Sequence, residues 1–497
     1  MLFNSFDFIV FFPVVVFLYY IIPQRIRNIW LLLASYYFYM SWNPKYIVLI
    51  LFATFVTYLC GLGINCVGQK WEGGSRKRWR LFCLAAGICA TLSMLFFFKY
   101  IDFAIGYFNR FLAAFNIKII ETSFDYALPV GISFFTFQAL GYVIDVYRGN
   151  VCAEKNPVRY ALFIAFFPQL VAGPIERSGN LLRQINEKHR FSYDRAKNGL
   201  LLMLWGFFLK LVIADRIAIV VDTIYGNPET YSGCYLIVAT VLFAFQIYCD
   251  FSGYSTIAKG AAQVMGFELM ENFKAPYFSL SVVEFWRRWH ISLSGWFRDY
   301  LYIPLGGNRK GKIRKHINLV VVFAVSGLWH GASMSFVIWG ALNGLYQVIG
   351  DICRPVRNWI WNILGCRKDS GGHKLLSCMT TFLLIDFAWL FFRAGSLQQS
   401  GVILKNLFGV YNPWVFFDGS FYNLGLERNS FIVMIAAICI LLVVDYLHYH
   451  DIHILTILAR QELWCRTLLI TGLFYSVIML GIYGVDYDVS TFIYFAF

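Results

Sequence analysis

Apolar runs of nearly membrane-crossing length recur from one end of this chain to the other, and short, often basic loops separate them. The runs are 8–22, 29–42, 45–64, 81–98, 101–116, 127–147, 158–173, 199–221, 235–251, 317–334, 336–352, 375–393, 431–447 and 466–483. A helix that crosses a bilayer needs about 20 mostly apolar residues. Lipid offers no water to a bare N–H or C=O, so such a run closes its own hydrogen bonds as a helix. Several runs are short and are expected to be tilted, re-entrant or interfacial. About a dozen membrane helices are expected. The fold class is therefore all-α and polytopic, a single membrane domain over 1–497 with no soluble domain and no visible repeat.

Composition agrees. Hydrophobic residues make up 59%, aromatics 19% and charged residues 14%, against about 25% charged in soluble domains. A soluble globular enzyme, a disordered chain and a fibrous protein are excluded. The 50 Phe and 31 Tyr suit lipid contact and interfacial belts. The net charge of +14 lies in loops between apolar runs, which is a membrane pattern and not a nucleic-acid one. The 12 cysteines scatter, mostly inside apolar segments such as Cys60, Cys83, Cys89 and Cys439, with no CxxC and no zinc-like spacing. They read as small buried hydrophobes, and no metal is expected. Asp7 is the only charge before Arg25 and no small-residue site follows 8–22, so no cleavable signal is expected.

The loops suggest an orientation. Residues 65–80 carry Lys70, Arg76, Lys77, Arg78 and Arg80 against Glu72. Residues 305–316 carry Arg309, Lys310, Lys312, Arg314 and Lys315 with no acid. Such loops are expected on the cytoplasmic side. Residues 222–234 hold Asp222 and Glu229 without a base, and 409–430 hold Asp418 and Glu427 against Arg428 alone. Both are expected outside, with the N-terminus. The 99–126 region fits this parity least well.

One stretch breaks the pattern. Residues 268–316 are too charged to span lipid and too aromatic for a free loop, so helices lying in the interface or dipping into the protein are expected. His290 lies there, after three aromatics and two arginines. His330 lies inside the next apolar segment, 317–352. At about 1.5 Å per residue it sits roughly 20 Å from the basic loop, near or past the bilayer midplane. An ionisable group at that depth is costly and marks a candidate site. A neutral imidazole can take a proton from a hydroxyl or return one to a leaving group. Gly327, Gly331, Ala332 and Ser333 flank His330 and leave room either for a substrate or for close helix packing.

Other motifs say less. Residues 306–312 read G-x-x-x-x-G-K, but Ile313 stands where a P-loop needs Ser or Thr, so an NTPase is rejected. The charge there is either positive-inside signal or a patch for a phosphorylated donor. Asp250 ends an apolar run and is expected to cap the next helix or orient a histidine. His448, His450, Asp451 and His453 read as an interfacial loop and not a zinc site. No G-x-S-x-G is present.

The residues that carry a resemblance are LPVGISFFTFQ at 128–138, AGPIER at 172–177, YCDFSGY at 248–254, FWRRWHISLS at 285–294, WFRDYLYIPLGGNR at 296–309, GLWHG at 327–331 and FIYF at 492–495. In this order, the chain resembles the membrane-bound O-acyltransferase family, and within it the branch of bacterial alginate O-acetylation membrane subunits. The D-alanyl transfer proteins of teichoic-acid modification share the W-x-x-W-H-x-S-L-S and W-F-R-D-Y elements. The resemblance implies a ring of helices around a thin core with a tunnel. It implies His330 and His290 as the catalytic pair, the second being Asn in many eukaryotic members. It implies a cytoplasmic donor, acetyl-CoA, used as substrate with no bound cofactor. An extracytoplasmic acetyltransferase partner of the serine-esterase (SGNH) type would complete transfer to a polysaccharide. On this reading Trp286, Arg287, Arg288, Arg298, Asn308 and Arg309 receive the donor, while Asp250, Trp329 and Ser333 orient or shape the site. A D-alanyl transferase using a carrier-protein thioester, a secondary transporter and a non-catalytic scaffold are the other readings.

Overall fold

The computed structural model describes residues 1–70, 74–117, 129–171, 173–363, 365, 367, 369–483 and 493. Glu72 of the first basic loop, residues 118–126, and the motif residues Leu128, Ala172, Phe492, Tyr494 and Phe495 lie outside them. Every regular element among the described residues is helical. Six helices are long and apolar enough to cross a membrane: Pro44–Cys66, Gly74–Lys99, Cys234–Met265, Gly371–Arg393, Arg428–Tyr449 and Leu463–Leu480. Met334–Ile352 with Arg354–Ile363, bent by 55°, makes a seventh if counted as one span. The chain is a multi-pass membrane protein.

Fewer helices meet that test than the dozen expected, for local reasons. Phe6–Ile21 and Ile132–Arg148 have 16 and 17 residues. The helix Pro157–Ala165 breaks at Phe166, before Pro168, which has no N–H to give. The helix Tyr193–Phe207 passes into a π-helical stretch, Phe208–Ala214, before Asp215–Gly226. The helix Gly311–His330 opens on Lys312, Arg314 and Lys315.

Two compact units are built from these helices. One gathers Met1–Met203 and Ser255–Met270. Backbone groups freed at the Phe166 break find side-chain partners. Gln138 and Gln169 both donate to the Phe163 carbonyl (2.5 and 2.8 Å), and the Phe167 N–H donates to Ser35 Oγ (3.1 Å). Gly131 turns the chain into Ile132–Arg148 at φ 74°, where an added Cβ would meet the Leu170 carbonyl at 2.6 Å. The Glu176 carboxylate is buried. It accepts from the Met270 N–H (2.5 Å) and from Asn180 Nδ2 (2.8 Å). Gln184 accepts from the Glu268 N–H (2.7 Å) and donates to its carbonyl (2.9 Å). The segment 268–270 is thus stapled to the helix Ser178–Asn186.

The other unit gathers Leu204–Tyr254 and Glu271–Asp488, with Ile493 from the C-terminus. At its centre is the hairpin of Gly311–His330 and Met334–Ile352. The two helices touch backbone to backbone. A Cβ on Gly327 would collide with the Phe336 carbonyl, one on Gly340 with the Phe323 carbonyl, and one on Gly344 would lie 2.9 Å from Val320 Cα. At the far end of the hairpin, Asp351 receives Lys315 (2.7 Å), His316 (3.1 Å) and Arg354 (3.1 Å). The 268–316 stretch forms short pieces: a 3₁₀ turn at Pro276–Phe278, helices Val282–Arg288 and Ile291–Phe297, and a π-turn at Arg298–Tyr302.

Candidate active site

His330 is the last residue of its helix. Gly331 follows in extended conformation, and its hydrogen leaves space filled by the Phe336 ring. Ser333 opens the next helix, accepting from the Ser335 N–H (3.4 Å) and donating to the Gly395 carbonyl (2.9 Å). The imidazole is buried, 5% exposed. Three rings wall it, nearly edge to face: Trp329 at 4.9 Å and 84°, Trp339 at 5.1 Å and 88°, and Phe392 at 5.4 Å and 71°.

His290 occupies the joint between Val282–Arg288 and Ile291–Phe297, with φ 43° and ψ 55°. That left-handed conformation is uncommon outside glycine and costs backbone energy. Asn272 holds the joint: its carbonyl accepts from the Ile291 N–H (3.0 Å), and its Oδ1 accepts from the Ser292 N–H (3.3 Å) and Oγ (2.6 Å). The His290 ring is fully buried. Phe251 meets it at 4.6 Å and 80°, and Trp329 at 6.3 Å and 63°. The ring lies outside the spanning helices, and burial pushes its pKa well below the usual 6.5, which keeps it neutral at physiological pH.

Trp329 is therefore a wall common to both histidines. A second aromatic path runs beside it. Trp289 packs on Trp389 (5.1 Å), and Trp389 stacks on Trp339 (5.5 Å, 22°). The rings packed against the two imidazoles are aromatic, and an apolar surrounding strengthens electrostatic effects.

Asp250 is not a helix cap. The helix Cys234–Met265 runs through it unbroken, and a buried cation stands opposite its carboxylate. Lys210 Nζ lies 2.6 Å from Asp250 Oδ1 and 2.8 Å from Asp215 Oδ1, with all three side chains at most 3% exposed. Asp250 Oδ2 accepts from the Ile493 N–H (2.8 Å). The next residue, Phe251, packs against His290 (4.6 Å). Sequence reasoning missed Lys210, although a lysine within the apolar run 199–221 was the available signal. Asn272, a polar residue in a polar stretch, gave none.

The donor-site candidates divide. Trp286 is buried and donates through Nε1 to Asn343 Oδ1 (3.1 Å). Arg288 is held by Glu284 (2.9 Å), by the Lys274 carbonyl (3.2 Å) and over the Tyr449 ring (4.5 Å). Arg298 pairs with Asp299 (2.8 Å), and Asn308 accepts from the Tyr302 hydroxyl. Arg287 and Arg309 are exposed and enter no ion pair among the described residues. In the histidine-rich loop, Asp451 pairs with Lys274 (2.7 Å) and His450 packs on Tyr446 (4.7 Å). Among the described residues no group of three or more His, Cys, Asp or Glu side chains comes together as a metal site.

The sequence pattern of the membrane-bound O-acyltransferase family matches residues 152–362, which hold both histidines and the aromatic segment between them. A probable alginate O-acetylase of Pseudomonas syringae pv. tomato is 37% identical over 417 residues, 83% of this chain and 76% of that protein. The chain belongs to the membrane-bound O-acyltransferase family. A peptidoglycan O-acetyltransferase of Helicobacter pylori is 35% identical, over 82% of this chain and 80% of its own. A teichoic acid D-alanyltransferase of Bacillus subtilis is 29% identical over 45% of this chain and 58% of its own. As a member of this family, the protein is an acyltransferase.

Proposed function

We propose that this O-acyltransferase moves an acetyl group from acetyl-CoA, on the cytoplasmic side of a bacterial cytoplasmic membrane, to a hydroxyl on the outer side. The observation that carries the reading is His330, buried behind three aromatic rings, one of which, Trp329, also packs against a second, neutral imidazole. His330 is the general base. It takes the proton of the acceptor hydroxyl as the oxygen attacks the thioester carbonyl. The new O–C bond forms, the C–S bond breaks, and the proton passes from the imidazolium to the leaving thiolate. His290 stays neutral and positions the thioester. Arg287 and Arg309, exposed and in no ion pair among the described residues, meet the phosphates of the donor. The basic loops face the cytoplasm, and the acetyl group crosses through a tunnel within a ring of helices. An external SGNH-type acetyltransferase then passes it to a polysaccharide, the chemistry suggested by the alginate and peptidoglycan relatives. Carrying the phosphates of CoA through lipid would be prohibitive, whereas an acetyl group is small and neutral.

The test supplies radiolabelled acetyl-CoA to the basic-loop face of proteoliposomes and follows CoA release and labelled acceptor, with and without an external acetyltransferase. Wild type is expected to transfer label only with the partner. His330→Ala is expected to lose about 10²- to 10⁴-fold, the usual worth of a general base. Retained transfer in His330→Ala removes the role. Turnover with an acyl-loaded carrier protein alone moves the assignment to D-alanyl transfer, which the Bacillus subtilis relative supports.

A further inference from the structure

One amide links the two histidine-bearing segments. Asn343 lies one turn beyond Trp339 on Met334–Ile352 and is 1% exposed. Its Nδ2 donates to the Trp339 carbonyl (2.8 Å), and its Oδ1 accepts from Trp286 Nε1 (3.1 Å). The two partners fix the orientation of the amide, since an indole N–H needs an acceptor and a carbonyl needs a donor. Trp286 belongs to Val282–Arg288, the short helix that leads into Trp289 and His290. Its ring packs on Trp339 (5.7 Å, 70°) and on Phe323 of the His330 helix (5.1 Å, 69°). Trp339 in turn stands edge-on to His330. Removing the acceptor would strand a buried indole N–H, and the ring would leave its place to find water or another partner.

We propose that Asn343 is a positioning residue for acyl transfer: by binding Trp286 it keeps the His290 segment in register with Trp339 and His330. It touches neither imidazole and acts through the two tryptophans. The inference rests on the reading that these histidines are the reacting pair.

The experiment uses the full chain in proteoliposomes, with steady-state acetyl transfer measured for His330→Ala, Asn343→Leu, Asn343→Asp, Trp286→Phe and the double variant Asn343→Leu/Trp286→Phe. Trp286→Phe keeps an aromatic ring and removes only the donor, so it tests the bond even where Asn343→Leu fails to fold. Expected is a fall in kcat of about 10- to 100-fold in each of the Asn343→Leu and Trp286→Phe singles, as for a misplacement of about 1 Å. The KM for acetyl-CoA should stay within about two-fold, and the double variant should be no worse than the worse single. Relative to wild type at the same pH, Asn343→Asp should regain activity as pH falls, because only the protonated acid can both donate to Trp339 and accept from Trp286. A raised KM with unchanged kcat in Trp286→Phe would make Trp286 a donor-binding residue and overturn the proposal. So would multiplied losses in the double variant, or Asn343→Asp activity that, relative to wild type, does not respond to pH. If His330→Ala remains active, the functional reading fails; if His330→Ala is dead while Trp286→Phe has wild-type kcat, only this inference fails.

Discussion

The Trp339 ring meets the His330 imidazole edge to face, with centroids 5.1 Å apart and planes at 88°. A large ring in that place restrains the imidazole by packing against it. Trp339→Ala should open a cavity against His330 and let water in. Truncating a buried Trp costs about 3–5 kcal/mol, so both melting temperature and kcat should fall. Trp339→Phe should keep most stability and lose less rate. Equal rates for the two variants would show that the wall does not matter.

The Gly327 backbone touches the Phe336 carbonyl across the hairpin. Gly327→Ala should push the two helices apart, at a cost of about 1–3 kcal/mol, the range for overpacking. Because His330 follows by three residues, transfer should fall more than stability. Gly350→Ala, where nothing lies within 4 Å of an added Cβ, is the control. Thermal unfolding in detergent beside acetyl transfer reads both effects.

Glu176 gives a pH dependence. Burial raises its pKa from 4.5 to about 7, against hydrogen bonds from Met270 and Asn180 that lower it. A carboxyl with a raised folded pKa binds more protons folded than unfolded. Its contribution is therefore fully present below about 4.5 and is lost as pH rises through about 7. Glu176→Gln keeps an acceptor for the Met270 N–H and has no charge to bury. The difference in melting temperature, Glu176→Gln minus wild type, should grow between pH 5 and 8. A difference that stays flat across this range would assign the carboxylate no such cost.

Lys210 answers two buried carboxylates. Lys210→Met would leave Asp215 and Asp250 without their cation, a loss of about 3–5 kcal/mol for a broken buried pair. Adding Asp215→Asn and Asp250→Asn should restore a good part of it. If the triple variant is no more stable than Lys210→Met alone, charge is not the cause. The Ile493 N–H should become readily exchangeable with deuterium in Lys210→Met, since its acceptor moves.

The fold class was legible because apolar run length is a strong signal, and so was the burial of His330, an ionisable residue inside such a run. The helix count was not. Phe166 and the π-helix at Phe208–Ala214 interrupt runs that look continuous in composition, and around Phe166 the freed backbone groups meet Ser35 and Gln138, which lie elsewhere in the sequence. The glycines around His330 left two readings open, and the Phe336 contacts decide for close packing. Trp286, Arg288 and Arg298 stood in a basic aromatic segment and read as donor contacts; their side chains are engaged by Asn343, Glu284 and Asp299. Local composition does not reveal which charges are already answered.

The left-handed backbone at His290 has a consequence for substitution. Few side chains tolerate that conformation, and Asn, Asp and His are the ones enriched there beside glycine. An exchange of His for Asn, the alternative that the family resemblance carries at this position, therefore leaves the turn intact and alters only the chemistry. Alanine would change both at once. The chain geometry thus limits the vocabulary of residues open to this place before any selection for catalysis begins, and asparagine is the substitution that lets the imidazole be questioned alone.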